Sequence, residues 1–442
     1  MKRVIHKALL DWKSSENRKP LLLKGTRQVG KTWSLKNFGN ECYAKTHYLN
    51  FQDSNRLKSL FEDGYEVKKV IQDIENYLQA GIDIHKDLLI FDEIQDCPQA
   101  ITSLKYFCEN IPELSLCCAG SHLGVTLAVN SFPVGKINSL SMYPVTFQEY
   151  LLNKNKRLYE SLLSAGIDNK LSSITHGLLW DELKTYYVIG GLPEIVQFYL
   201  EHQKNLFTTY THIRKMQKEL IENYRSDFAK HSGKVNANHI NGVYDNIPSQ
   251  IQKVHDGSVK RYQFKDVLPN KTKYSQLAGP IDWLVHAGLL LKVSIANNAE
   301  IPLDAYCKQN MFKLYLFDTG LLGAQMKIPV ESILKQDYGT FKGFFAENFV
   351  AQELNTIYPN ELYSWTKNNS EIEFVLTCGT SLVPVEVKSG SRVKAKSLQS
   401  FKKRYEPSLS VKLSALNIDI QGGQSNYPIY MAGMLSKFLL HK

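Results

Sequence analysis

The first residues whose types and spacing could do chemistry lie in Leu21-Leu22-Leu23-Lys24-Gly25-Thr26-Arg27-Gln28-Val29-Gly30-Lys31-Thr32. The stretch fits G-x-x-x-x-G-K-[ST], the spacing of a phosphate-binding loop, at every defined position. Gly25 and Gly30 let the backbone turn tightly, so that the N–H groups of Gly25, Thr26, Arg27, Gln28, Val29 and Gly30 face one anion. A helix opening at Lys31 adds the positive end of its dipole. Lys31 is then placed to reach the β- and γ-phosphates of a nucleotide, and the Thr32 hydroxyl to bind Mg²⁺. A second group follows at Leu88-Leu89-Ile90-Phe91-Asp92-Glu93. A buried strand would deliver Asp92 to the same Mg²⁺, with Glu93 placed to orient or deprotonate an attacking water. A third is Ser121, at the tip of the apolar run Leu114–Ala119, where its hydroxyl could contact the γ-phosphate or that water; a plain Gly-Ser turn is the alternative.

These groups require a particular scaffold. Leu21–Leu23, His47–Phe51, Leu88–Phe91 and Leu114–Ala119 read as short strands, and the fully apolar ones suit a parallel sheet buried on both faces. Lys31 to Phe38 reads as a helix running to Gly39. Val67, Val70, Ile71, Ile74 and Leu78 form a core-facing helical stripe with no chemistry of its own.

At 442 residues the chain exceeds one hydrophobic core, so two or three domains are expected. A formal charge of +10 and a pI near 9.0 favour an anionic partner, nucleic acid first. The seven cysteines are scattered without a C-x-x-C pair, so neither a zinc site nor a disulfide framework is indicated. No stretch reads as a signal peptide or a membrane span, and the expected location is the cytoplasm.

In the middle of the chain, Gly190-Gly191-Leu192-Pro193 breaks a helical pattern and reads either as a hinge or as an ordinary loop. Helices at Asn238–Ile251 and Tyr274–Leu289, followed by a strand at Leu290–Ile295, have the order of a winged helix. Its recognition helix is not basic, so a lid or protein-binding role competes with DNA reading. Near the C-terminus, Glu347 lies on an amphipathic helix. Strands at Glu371–Leu376 and Val383–Lys388 place Glu371 with Glu373, and Glu386 with Lys388, on strand faces that could gather. Any half-exposed hairpin can show the same alternation. Arg392, Lys394, Lys396, Lys402, Lys403 and Arg404 follow as a basic run, suited to polyanion contact or to a solvated helix face.

Two families resemble parts of this pattern. The phosphate loop, Phe91-Asp92-Glu93-Ile94-Gln95, Gly120-Ser121, Tyr143-Pro144 through Glu149-Tyr150-Leu151, and Gly190-Gly191-Leu192-Pro193-Glu194 together resemble prokaryotic AAA-type ATPases with an uncharacterised C-terminal domain. The helical Glu347, Glu373 and Glu386-Val387-Lys388 resemble the PD-(D/E)xK nuclease core, with Glu373 where that pattern prefers Asp. The resemblances imply ATP and Mg²⁺ as cofactors and Lys31, Glu93 and Ser121 as catalytic. At the second site they imply Glu373 and Glu386 as metal ligands, Lys388 as the charge-stabilising residue and Glu347 as a supporting acid. Lys136 stands where the AAA pattern usually has Arg and lacks its planar fork, which implies slow hydrolysis or a finger supplied from elsewhere. AAA-type sites often lie between subunits, so a homo-oligomer is compatible.

The expected fold is α/β in three parts. A P-loop parallel-sheet ATPase domain spans 1–155, a helical and winged-helix domain 156–335, and a restriction-endonuclease-like domain 336–442. The expected function is an ATPase controlling a nuclease-like, nucleic-acid-facing C-terminal domain. The alternative is an ATP-dependent molecular switch whose C-terminal domain binds a protein partner without cleavage.

Overall fold

The computed structural model describes residues 1–442 apart from 54, 63, 122–132, 167, 233, 251–260, 340, 391–395, 422 and 440–442. Arg392 and Lys394 of the basic run therefore lie outside the described residues. The chain forms two compact units, Met1–Tyr143 with His286–Gly288, and Pro144–Val285 with Leu289–Lys442.

The first unit is built on five parallel strands: β1 (Leu21–Gly25), β2 (Thr46–Asn50), β3 (Leu88–Asp92), β4 (Ser115–Ser121) and β5 (Asn138–Met142), in the order β2-β3-β4-β1-β5. Successive side chains leave a strand on opposite faces, so the continuous apolar runs feed two cores. Leu21, Leu23, Leu88 and Ile90 pack with Leu9 and Trp12 of the Ile5–Ser14 helix and Leu35 and Phe38 of the Lys31–Cys42 helix. Leu22, Leu89, Phe91 and Leu116 pack on the other side with Val70, Ile74, Leu104 and Phe107, from the Val67–Leu78 and Pro98–Asn110 helices. Parallel register brings the carboxyl ends of β1, β3 and β4 to one edge, with Gly25 opposite Ser121.

The second unit joins helices, among them Ser173–Ile189, Leu206–Ser232, Lys234–Gln250, Tyr274–His286 and Phe341–Asn355, to a mixed eight-stranded sheet. Its strands are β6 (Leu290–Ala296), β7 (Cys307–Leu316), β8 (Leu362–Lys367), β9 (Ser370–Cys378), β10 (Ser381–Val387), β11 (Ser410–Ser414), β12 (Asp419–Gln421) and β13 (Gln424–Pro428), in the order β12-β13-β11-β10-β9-β8-β6-β7. This departs from the expected boundary near residue 335. The β6–β7 pair follows the Tyr274–His286 helix as a wing would, but β6 also pairs in parallel with β8. A buried strand edge satisfies its N–H and C=O groups by pairing, and here the partner lies across the expected boundary. The middle and C-terminal segments thus share one sheet.

The Gly190-Gly191 break is not an exposed loop. Its residues are buried, and Asp318, fully buried itself, accepts hydrogen bonds from the Gly191 N–H at 2.6 Å and the Leu321 N–H at 2.9 Å. Burial raises the Asp318 carboxyl to about 6, against the pull of these N–H donors. A Cβ at Gly190, whose φ is +73°, would sit 2.2 Å from the Asp318 carboxylate, and one at Gly320 would sit 2.6 Å from the Gly190 nitrogen. The segments around Gly190 and Asp318 therefore interlock as a packing device. All seven cysteines are free thiols. Among the described residues no helix is long and apolar enough to cross a membrane.

Gly190→Ala should lower the stability of the second unit by about 2–4 kcal/mol, from a disfavoured backbone conformation plus displacement of Asp318. Gly177→Ala, within the Ser173–Ile189 helix and facing open space, should be neutral or raise stability by up to about 1 kcal/mol. Urea unfolding of the two variants beside the parent checks the contrast.

Candidate functional site

At the carboxyl edge of the first sheet, Gly25 leaves β1 and the loop closes at Gly30, which has φ +91° and caps the Lys31–Cys42 helix. A Cβ at Gly25 would meet the Met142 carbonyl oxygen at 2.3 Å, so glycine is required where β5 passes beside the loop. Gln28 also takes a left-handed conformation, with φ +67°. Lys31 is 8% exposed and donates to the carbonyls of Gly25 at 2.9 Å and Thr26 at 3.0 Å. Burial lowers its ammonium to about 8, opposed by the nearby Glu93 and Asp92 carboxylates.

Thr32 Oγ1 donates to Asp92 Oδ2 at 2.7 Å, so the two expected Mg²⁺ ligands meet directly. The backbone N–H of Glu93 donates to Asp92 Oδ1 at 3.0 Å, and Glu93 takes φ +48° as β3 ends. Gln95 Nε2 donates to the Glu93 carboxylate and holds it from the following turn. Ser121 is 2% exposed, and its hydroxyl has no hydrogen-bond partner among the described residues. Sharing the register of Gly25, it stands at the tip of the strand between β1 and β3. The loop residues, Lys31, Thr32, Asp92, Glu93 and Ser121 thus occupy one edge of one sheet.

Lys136 does not join them. It precedes β5, whose Asn138 pairs with Leu21, whereas the loop begins at Gly25 beside Met142. Its ammonium pairs with Glu109 at 2.8 Å on the surface. Within this chain Lys136 is at the opposite end of the strands from the loop and supplies it no charge.

Two residues of this site were not singled out from sequence. Arg3 donates to the carbonyls of Val29 at 2.9 Å and Tyr143 at 2.7 Å, tying the loop to the start of the chain. Nothing in the spacing marks it. Tyr48 donates to Asp92 Oδ2 at 2.8 Å, and Lys36 lies over its ring at 3.4 Å. Its place on β2, adjacent to β3, was the available signal.

The C-terminal cluster also assembles. Continuing the register from the Val385–Phe374 pair, Glu386 of β10 faces Glu373 of β9. Lys388 Nζ lies 2.9 Å from Glu386 Oε1 and 3.5 Å from Glu373 Oε1. Glu373 Oε2 accepts the Val387 N–H at 3.1 Å, while the buried Glu386 Oε2 has no hydrogen-bond partner among the described residues. Glu347 accepts from the Tyr315 hydroxyl at 2.7 Å. Burial pushes the Glu373 carboxyl up, Lys388 pulls it down, and the Glu347 charge raises it again. Glu371 is drawn aside into an ion pair with Lys313, a buried lysine in the strand Phe312-Lys313-Leu314-Tyr315-Leu316. A lysine in an otherwise apolar strand was a readable signal that sequence reasoning passed over. Among the described residues no three His, Cys, Asp or Glu side chains are grouped to hold a metal. Two carboxylates with one bare oxygen are nonetheless a fit for Mg²⁺, which ordinarily takes one or two carboxylates and keeps several waters.

Comparison with known proteins picks out three successive segments. Residues 17–151 match the family model described as AAA domain. Residues 181–332 match a domain of unknown function (DUF8612), and residues 342–432 another (DUF4143). Comparison with curated proteins gives no match. Solved structures with detectable likeness include the Aeropyrum pernix ORC1 protein in complex with DNA, at 14% identity and TM-score 0.32, covering 75% of this chain and 92% of that one. The Thermotoga maritima RuvB Holliday junction branch migration motor gives 14% identity and TM-score 0.31, covering 69% and 91%. AMPPCP-bound DnaA from Aquifex aeolicus gives 15% identity and TM-score 0.29, covering 64% and 86%. Residues 17–151, which hold the phosphate loop, Asp92, Glu93 and Ser121, are thus similar to an AAA domain.

Proposed function

We propose that the chain is a Mg-ATP-dependent ATPase whose nucleotide cycle controls a nuclease-like, nucleic-acid-facing C-terminal segment. The observation that carries the ATPase reading is the 2.7 Å hydrogen bond between Thr32 and Asp92 beneath a complete phosphate loop. Those two residues would hold Mg²⁺, which when bound neutralises charge on the phosphates. Lys31 and the loop N–H groups bind phosphate oxygens, Glu93 accepts a proton from or orients the attacking water, and Ser121 offers its free hydroxyl to the same region. With Lys136 remote, the isolated chain lacks a cationic finger from that position, and turnover is slow.

The nuclease-like reading is favoured by the bare, buried Oε2 of Glu386 beside Glu373 and Lys388. Were the cluster only a structural salt bridge, both carboxylate oxygens would be expected to find donors. The competing reading, a switch that binds a protein partner and cuts nothing, keeps the ATPase half and loses this one.

Lys31→Ala should abolish nucleotide binding and turnover together. Glu93→Gln should retain binding and lose turnover by about 10²–10⁴-fold, and Ser121→Ala should lower turnover by less, measured as phosphate release under saturating Mg-ATP. Half-exposed Trp33, next to the loop, gives an intrinsic fluorescence signal for binding.

Lys31 also sets a pH dependence. Its free ammonium titrates near 8, and bound phosphates would hold it charged. Below that pH binding takes up no proton through Lys31. Above it one proton is taken up, and ATP affinity should fall by up to about tenfold per pH unit. Calorimetry in buffers of different ionisation enthalpy, between neutral and alkaline pH, measures that uptake directly.

Wild-type protein with Mg²⁺ or Mn²⁺ should cleave DNA or RNA, and Glu386→Gln should lose at least about 10²-fold in rate with its fold unchanged. No cleavage of single- or double-stranded substrates by the parent would leave the switch reading in its place.

A further inference from the structure

We propose that the tip of the β8–β9 hairpin and the Lys396–Tyr405 helix form a groove that binds the phosphate backbone of a nucleic acid. The proposal rests on the nucleic-acid-facing reading of the C-terminal segment and gives that reading a second site, separate from Glu373, Glu386 and Lys388.

The groove follows from local sequence. Lys367 pairs with Ser370 across a two-residue turn, and Asn368 takes the left-handed conformation with φ +52°. Asparagine tolerates that conformation better than most residues. The helix docks through Leu398 and Phe401, with the Phe401 ring 5.1 Å from that of buried Trp365 in an edge-on contact. Trp365 Nε1 donates to the Tyr405 hydroxyl at 3.1 Å, which donates to Asn298 Oδ1 at 2.9 Å. Leu398 and Phe401 face inward, and Ser400, Lys403 and Arg404, three and four apart, share another, exposed face of the helix. A cavity of about 330 Å³ lies between Trp365, Lys367, Ser370, Ser400, Lys403 and Arg404. A second, of about 760 Å³, shares Lys367, Asn368 and Arg404 and extends past Asn297, Asn298 and Tyr306.

The charge around the first cavity is one-sided, with no acid among its lining residues. Lys367, Lys403 and Arg404 form no ion pair with a carboxylate among the described residues. Among the described residues Glu300 is the single acid lining either cavity, and its carboxylate already accepts from Tyr306 and Asn298, each at 2.7 Å. Lysines and arginines near a helix C-terminus also complement its dipole, which alone would explain Lys403 and Arg404. It does not explain Lys367, which comes from another element and lines both cavities. Three cations without a carboxylate partner among the described residues, Arg404 resting over the Tyr405 ring at 5.5 Å, beside hydroxyl and amide groups are the chemistry of phosphate and sugar contact. Two adjoining cavities with a shared cationic wall suit successive phosphates of one strand better than a single small anion.

The test is fluorescence anisotropy of full-length protein with short fluorescein-labelled single-stranded and duplex DNA across a salt series. Wild type should bind with a steep salt dependence. Lys367→Ala/Lys403→Ala/Arg404→Ala should bind about tenfold or more weakly, with the slope of log affinity against log salt reduced by about 3. Lys403→Glu/Arg404→Glu should lose more. ATP turnover without DNA and the urea midpoint should match the parent in both variants, which excludes misfolding. Glu386→Gln should bind DNA as wild type whether or not the parent cleaves it, so failure of the nuclease reading and failure of this groove are told apart. The proposal is overturned if wild type does not bind DNA, or if the triple variant keeps wild-type affinity and slope.

Discussion

The arrangement at the nucleotide site depends on parallel strand register. With β1, β3 and β4 side by side and running the same way, Gly25, Asp92 and Ser121 leave the sheet at one edge, although 67 residues separate Gly25 from Asp92. The Thr32–Asp92 hydrogen bond then ties the first turn of the loop's helix to the end of β3. The same register, read the other way, excludes Lys136, which enters β5 from the opposite edge. One constraint thus gathers the polar groups around the phosphate loop and keeps a surface lysine away from them.

In the second unit the sheet gathers charge in an apolar setting. Lys313, Glu373 and Glu386 are 6%, 5% and 1% exposed, and Lys388 bridges the two carboxylates. Taking ions out of water costs several kcal/mol each unless pairing is close to complete, and an apolar set of similar volume would serve stability at least as well. The pairing is incomplete at Glu386 Oε2. Such a cluster is more readily understood as a site than as a means of holding the sheet together.

What was legible in the sequence was local. The phosphate loop, the apolar strand ending in Asp92-Glu93 and the acid-x-lysine of β10 are short patterns whose geometry follows from period and turn chemistry. The meeting of Glu373 with Glu386 was readable because a hairpin of known period fixes which side chains share a face. Arg3, Tyr48, Lys313 and Tyr315 reach their sites through strand neighbours or distant backbone carbonyls, and short apolar runs do not say which strand they will pair with. The sheet shared across residue 335 was not readable for that reason: β6 looks like a wing until β8 is seen beside it. Gly190-Gly191 looked like a candidate hinge because its partner, Asp318, is 127 residues away.

That separation bears on how the chain is made. The first unit's sheet is complete once β5 has been synthesised, near residue 142. The second unit is closed by contacts that span far more chain. Asp318 caps Gly191, the Glu353 carboxylate accepts the Phe147 N–H across 206 residues, and the rings of Phe147 and Tyr430 lie 6.2 Å apart. A nascent chain can therefore fold its nucleotide domain during synthesis, while residues from Pro144 onward wait for the C-terminal strands. Through most of translation, the exposed apolar surface in need of protection belongs to the second unit.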